Sequence, residues 1–207
     1  MNRNVIIIGA SGHGKVIADI VLLTGDKILG FLDDDCSKKE FLGFPVLGTV
    51  DSYVNYPEAE FIVAIGNNDN RKLKAEQIEG CKLYTAIHPT AVISKIDTEI
   101  GEGTVVMPNA VINAGTHIGK HCIVNSGAII EHDNRIGDFS HIAVGAKLGG
   151  VVNIGKNCWV GIGANVRHVI SICDNAVVGG GACVVENITE AGTYVGIPAR
   201  RLMKQGD

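Results

Sequence analysis

Acid, imidazole and acid stand side by side at Glu131, His132 and Asp133, directly after the apolar Ala128-Ile129-Ile130. An imidazole titrates near neutrality, so it can take up and return a proton within one catalytic cycle. A carboxylate on its second nitrogen fixes the tautomer and makes the first nitrogen more basic. Such a pair suits a general base, a role that contributes typically ~10²–10⁴-fold to rate. His132 is the candidate base, and Glu131 and Asp133 are both candidates for the orienting acid. A second constellation, Gly9-Ala10-Ser11-Gly12-His13-Gly14, has the composition of a phosphate cradle. Glycines let the backbone approach an anion, and a helix starting there supplies unpaired N–H groups and partial positive charge. Its spacing is G-x-x-G-x-G, not the dinucleotide G-x-G-x-x-G, which favours a nucleotide diphosphate carrying a sugar over NAD. Asp33, Asp34 and Asp35 add acceptors for ribose or base N–H groups.

The elements that must position these groups differ between the two halves of the chain. "NVIIIGA" (4–10) reads as a buried parallel strand, and "KVIADIVLLTG" as an amphipathic helix stopped by Gly25. "KILGFLDDD" and "EFIVAIGNN" are further strands, "NRKLKAEQIEG" is a second helix, and "KLYTAIHP" closes the unit. The expectation is a Rossmann-like α/β domain over residues 1–86, with the glycine loop and the aspartates at the carboxyl edge of a parallel sheet.

From Ile100 to Val184 an aliphatic residue recurs at every sixth position without a miss. A helix cannot keep period six on one face, but a coil of three short strands can. Four residues after most of these positions a small residue recurs, as at Thr104, Ala110, Thr116, Cys122, Ala128, Ser140 and Ala146. Ile-Gly pairs at 100, 118, 136 and 154 give one full coil as three hexads. Residues 87–207 are expected to form a left-handed parallel β-helix, against the usual right-handed crossover preference. Stacking at a strand spacing of about 4.8 Å then puts His132 above Ala114 and beneath Gly150. Asn134, Val152 and Ile170 break the small-residue rule as a column on that same edge, and local violations of a consistent pattern mark functional sites.

Composition narrows the remaining classes. Hydrophobic residues make up 46% and charged ones 19%, so the chain has apolar content for cores and lacks the profile of disorder. A net charge of −4 offers no footprint for nucleic acid or anionic lipid. The six cysteines contain no C-x-x-C pair, and Cys122 and Cys158 fall in the small-residue column, as packing residues would. "VIIIGA" is too short for export or membrane spanning, so the expectation is a soluble, reduced, cytoplasmic protein.

The hexads, the "GASGHGK" opening and the "GIPARR" ending together resemble the hexapeptide-repeat sugar acetyltransferases. The resemblance covers essentially the whole chain. It is most specific toward bacillosamine-type UDP-4-amino-sugar N-acetyltransferases and the related sialic-acid O-acetyltransferases. It implies acetyl-CoA as co-substrate, no metal, a homotrimer, and transfer to the 4-amino group of a UDP-linked amino-deoxysugar. It implies His132 as base, Asp133 as its orienting acid with Glu131 as substitute, and a sugar-nucleotide site lined by Ser11, Gly12, His13, Asp33, Asp34 and Gly66, with Asn125 positioning substrate. It puts His141 near the thioester, the Gly150 N–H at the oxyanion, and Ile162, Gly180, Pro198, Ala199 and Arg200 along CoA, with Arg201 and Lys204 available to its phosphates. Sialic-acid O-acetylation and transfer to a GDP- or dTDP-sugar are the alternatives within the class. A γ-type zinc hydratase shares the β-helix, but its third ligand position here is Cys173, not His. A non-catalytic sugar-nucleotide sensor is the remaining class, disfavoured by the intact Glu131-His132-Asp133.

Overall fold

The computed structural model describes residues 3–202. Its first part is a five-stranded sheet. Strand β1 (Asn4–Ile8) leads through the glycine loop into helix α1 (Gly12–Leu23), followed by β2 (Lys27–Leu32), β3 (Glu40–Phe41), β4 (Phe44–Gly48), a 3-10 turn (Val50–Asn55), β5 (Glu60–Val63) and helix α2 (Asn68–Gln77). The sheet order is β3-β4-β2-β1-β5. β1 pairs in parallel with β2 on one side and β5 on the other. The chain therefore reverses its winding at the carboxyl end of β1, where the glycine loop leaves the sheet, and this is the crevice in which open α/β sheets bind ligands. Val5, Ile6, Ile7 and Ile8 are all buried, which is why the strand reads as a continuous apolar run. The antiparallel β3–β4 hairpin and the 3-10 turn have no counterpart in the strand–helix alternation expected for this half.

Ala86–Ile87 is the first rung of the coil, pairing with Val105–Val106 one turn later. From there two-residue strands repeat around three faces. The first face runs from Ala86–Ile87 to Arg200–Arg201, the second from Val92–Ile93 to Cys183–Val184, and the third from Glu99–Ile100 to Ser171–Ile172. From Glu99 to Val184 the coil strands stack in parallel eighteen residues apart, as in Ile112↔Ile130↔Leu148. The period-six aliphatics from Val106 to Val184 point inward as one buried cluster, with Ala110, Cys122, Ala128, Ala146 and Cys158 in the corners. Burial pushes the Cys122 thiol up to about 12 and the Cys158 thiol to about 11, so both are packing groups and poor nucleophiles.

The two parts share a core. Ala86, Val105, Met107 and Ile123 on the outside of the first face pack with Tyr84, Ile17 and Val21 of the α/β part. Helix α2 grips the edge between the third and first faces: Asn68 Nδ2 donates to the Cys158 carbonyl at 3.0 Å, and Arg71 reaches the His121 and Phe139 carbonyls at 2.8 and 2.7 Å.

Candidate active site

His132 and Asp133 occupy the edge between the second and third faces, in the turn after Ile129–Ile130. Hydrogen bonding joins His132 Nδ1 to Asp133 Oδ2 at 2.8 Å, while both side chains stay more than half exposed. Asp133 adopts a left-handed backbone (φ +59°), a conformation acidic and amide residues tolerate better than most. That turn aims its carboxylate back at the imidazole. Two glycines clear the space. A Cβ at Gly150 would lie 2.5 Å from His132 Nε2, and one at Gly115 would collide with Asp133 Oδ1. The Gly150 N–H makes no hydrogen bond among the described residues, and the lack of a side chain on Gly150 leaves room for the imidazole. Glu131 does not join the pair, because its Oε2 accepts from Asn113 Nδ2 at 2.9 Å.

Beneath this edge the repeat is reinforced, not loosened. Asn134 is fully buried; its Nδ2 donates to the Glu131 and Gly149 carbonyls, and its Oδ1 accepts from the Val152 N–H. Above Asp133, Val151 and Val169 also hold φ near +60°, a conformation β-branched residues avoid. Such strain persists only where the surroundings over-determine it, and it concentrates at functional edges.

The residues expected around CoA lie on a different edge, between the first and second faces. Ile162 and Gly180 stack there one turn apart, Asn125, expected to position substrate, lies on the same edge two turns earlier, and Ile162 is 65% exposed. The Gly196–Arg200 segment closes the column: the Cys183 N–H donates to the Gly196 carbonyl, and the Ala199 N–H donates to the Cys183 carbonyl at 2.7 Å. Pro198 lies within that turn. Arg200 and Arg201 are exposed and approach Glu186 and Glu190 at 3.8 and 2.8 Å. Lys204 lies outside the described residues. His141 sits on the first face, 5% exposed, its Nε2 2.9 Å from Asn125 Nδ2 and its ring edge-on to Trp159. Desolvation, then the charge of Arg71, holds His141 neutral, its pKa lowered to about 3.

At the carboxyl end of the parallel sheet, a small cavity is lined by Ile8, Gly9, Ser11, Asp33, Asp34, Val50, Ile65 and Lys74. Asp33 is committed to shaping the loop: its Oδ2 accepts from the Ala10 N–H at 2.8 Å and from Lys38 Nζ at 3.0 Å. Asp34 accepts from the Val50 N–H and pairs with Lys74 at 2.6 Å, which together hold its carboxyl below the usual carboxylate range. Gly12 opens α1 and is exposed, whereas His13 is half-buried with an unpartnered Nε2 and a pKa lowered to about 4, chiefly by desolvation. Gly66 is half-buried and gives its carbonyl to Arg71. Lys38, Lys74 and Arg71 were not legible as site residues. Lys74 and Arg71 lie within α2 and Lys38 in the connection between β2 and β3, and only the fold gives them their partners.

Among the described residues, no cluster of three His, Cys, Asp or Glu side chains could hold a metal ion, and no helix is long and apolar enough to cross a membrane.

Residues 4–78 match the model of the PglD N-terminal domain, and residues 97–132 match the bacterial transferase hexapeptide model of six repeats. The UDP-N-acetylbacillosamine N-acetyltransferase of Bacillus subtilis is 40% identical over 112 residues, 51% of this chain and 51% of that protein. The match thus spans about half the length of this curated relative. The acetyltransferase domain of PglB from Neisseria gonorrhoeae, solved in complex with acetyl coenzyme A, is 38% identical with a TM-score of 0.91, over 98% of this chain and 100% of that one. PerB from Caulobacter crescentus, solved with CoA and GDP-perosamine, is 34% identical with a TM-score of 0.90, over 97% of each chain. A PglD-type α/β domain joined to a hexapeptide β-helix is thus matched over nearly the whole chain at more than 30% identity: the chain belongs to the hexapeptide-repeat sugar acetyltransferases.

Proposed function

We propose that this chain is an acetyl-CoA-dependent N-acetyltransferase acting on the 4-amino group of a UDP-linked amino-deoxysugar. Residues 1–86 hold the nucleotide sugar and residues 87–207 carry out acyl transfer. The observation that carries the reading is the His132–Asp133 pair at 2.8 Å beneath a glycine whose N–H is free.

The chemistry follows from those three groups. As the sugar amine attacks the thioester carbonyl carbon, His132 Nε2 accepts the proton that the nitrogen must lose. Asp133 holds Nδ1 protonated, so Nε2 is the free base. The Gly150 N–H faces the oxygen on which negative charge develops, and such a preorganised donor contributes most in the transition state. When the C–S bond breaks, the imidazolium returns its proton to the departing thiolate. The products are an N-acetyl amide and free CoA, and the base is regenerated.

His132 and the Ile162–Gly180 column lie on different edges of one prism, separated by the width of its second face. A homotrimer in which one copy's His132 edge faces its neighbour's CoA edge would complete the site. That requirement supports the trimer. The alignment with PerB favours a GDP-linked amino sugar as the second reading. Acetyl-CoA turnover, measured as free CoA release against UDP-, GDP- and dTDP-linked 4-amino sugars, tests the proposal. A preference of tenfold or more in kcat/KM for the UDP sugar is expected, on the order of 1.4 kcal/mol. No turnover with any amine acceptor sinks the reading, and turnover confined to the GDP sugar transfers it to the second.

A further inference from the structure

Arg71 is a buried cation without an anion. It is 1% exposed, and its five N–H donors are all used. Nε donates to the His121 carbonyl at 2.8 Å, Nη1 to the Ile65 and Gly66 carbonyls at 3.0 and 2.9 Å, and Nη2 to Asn68 Oδ1 and the Phe139 carbonyl at 2.8 and 2.7 Å. Every acceptor is neutral. No carboxylate among the described residues pairs with it, although Arg3, Arg200 and Arg201 each approach one. Burial brings its pKa down to about 10, so it remains charged at neutral pH. A guanidinium serving only as mortar is normally neutralised when it is taken out of water, because an unpaired buried charge is costly.

The uncompensated charge holds the carbonyls of Ile65 and Gly66, and Ile65 lines the same cavity as Gly9 of the glycine loop. The influence of Arg71 suppresses protonation of His13, within that loop, and of His141, facing the loop from the coil. The helix opening at Gly12 adds a partial positive charge at the same place. The two histidines therefore stay neutral, and the carboxylates nearest the loop, Asp33 and Asp34, are each paired with a lysine, so the charge of Arg71 is not offset there. Arg71 also fixes geometry: through Ile65 and Gly66 it holds the loop after β5, and through His121 and Phe139 it holds two successive turns of the coil.

We propose that Arg71 is a positioning residue for the diphosphate of the nucleotide sugar: its buried, acid-free guanidinium supplies the attractive field at the glycine loop while locking the neighbouring loop after β5 to the β-helix. It acts at a distance, because all five of its donors are occupied. The inference rests on the nucleotide-sugar reading above.

The test compares charged and uncharged ligands. UDP and GDP, each beside its own nucleoside, are titrated by NMR into the full chain, its Arg71→Lys variant and its Arg71→Met variant. In Arg71→Met, diphosphate affinity is expected to fall about tenfold more than nucleoside affinity, as removal of one nearby low-dielectric charge requires. Arg71→Lys keeps the charge but cannot make all five bonds, so it should preserve the diphosphate-to-nucleoside ratio of the wild type. Equal loss for both ligands in Arg71→Met, or no loss at all, overturns the inference and leaves Arg71 a structural clamp. Should Arg71→Met not fold, the wild-type Arg71 Nε–H resonance decides: a shift with diphosphate and none with nucleoside supports the field, and equal shifts overturn it. Failure of the wild type to bind either diphosphate overturns the nucleotide-sugar reading itself, and the inference falls with it.

Discussion

Histidines occur in two opposite settings in this molecule. His132 stands on an outer edge, more than half exposed, with a carboxylate on one nitrogen and open space beside the other. His13, His121 and His141 lie where the α/β domain meets the coil, desolvated and within the influence of Arg71. Each of these three has a buried ring nitrogen with no hydrogen-bond partner, and His121 stacks flat on Phe139 at 5.1 Å. The first setting favours proton exchange, and the second forbids it. Residue type alone cannot separate a base from a packing group; the local charge and water access do.

The largest effect separates the settings by function. His132→Ala removes the base from an exposed edge, so kcat should fall by ~10²–10⁴ while the melting temperature stays within a few degrees of wild type. Gly150→Ala should reproduce much of that loss, since its methyl group would lie 2.5 Å from His132 Nε2 and displace the ring. His121→Ala should do the reverse, costing about 1–3 kcal/mol of stability by opening a void between Gly103 and Phe139. Steady-state kinetics beside thermal denaturation reads both columns. A His132→Ala enzyme with near-normal turnover would erase the distinction.

Acid should reveal the second setting. His121 and His141 have ordinary values near 6.5, lowered to about 4 and about 3 in the fold. Protons then bind the unfolded chain first. Stability is complete above pH 6.5 and is lost as pH falls toward the folded values, at about 1.4 kcal/mol per pH unit for each group. For His121, Arg71 and Lys120 deepen the depression, and Asp138 and Glu102 oppose it. Urea midpoints from pH 7 down to 4.5 should therefore decline, and His141→Gln should flatten the slope by one proton. A flat profile in the wild type would mean that these rings are not held neutral.

How much of this could be read beforehand depended on whether a residue's role was local. The coil was legible because each hexad repeats its own reason: one inward aliphatic, one small corner. His132 was legible because its acid is its sequence neighbour and its glycine lies one coil away. Arg71 was not, since its acceptors at residues 121 and 139 come from a distant part of the chain, and nothing in "NRKLKAEQIEG" marks one basic residue as buried. The β3–β4 hairpin was missed for a related reason. Phe41 and Phe44 become apolar anchors only by meeting Phe31, with ring centroids 5.1 and 6.4 Å away. The separation of His132 from His141 was likewise hidden, because a period says how residues stack and not which edge the neighbouring domain covers.

The smallest expected effect tests whether an acid partner alone makes a histidine functional. His117 has Glu99 at 3.2 Å and Asp97 at 3.8 Å on the third face, a richer acid environment than that of His132. It lacks the other two parts. No free backbone N–H sits over its ring, since Arg135 pairs above it in the ladder, and neither acid is held against it by a glycine-cleared turn. Both carboxylates are three-quarters exposed, and ion pairs in water are worth about 0–1 kcal/mol. His117→Gln should therefore leave kcat and KM unchanged and move stability by less than about 1 kcal/mol. A loss of turnover comparable to that of His132→Ala would mean that acid pairing, and not the constellation with Gly150, is the operative feature.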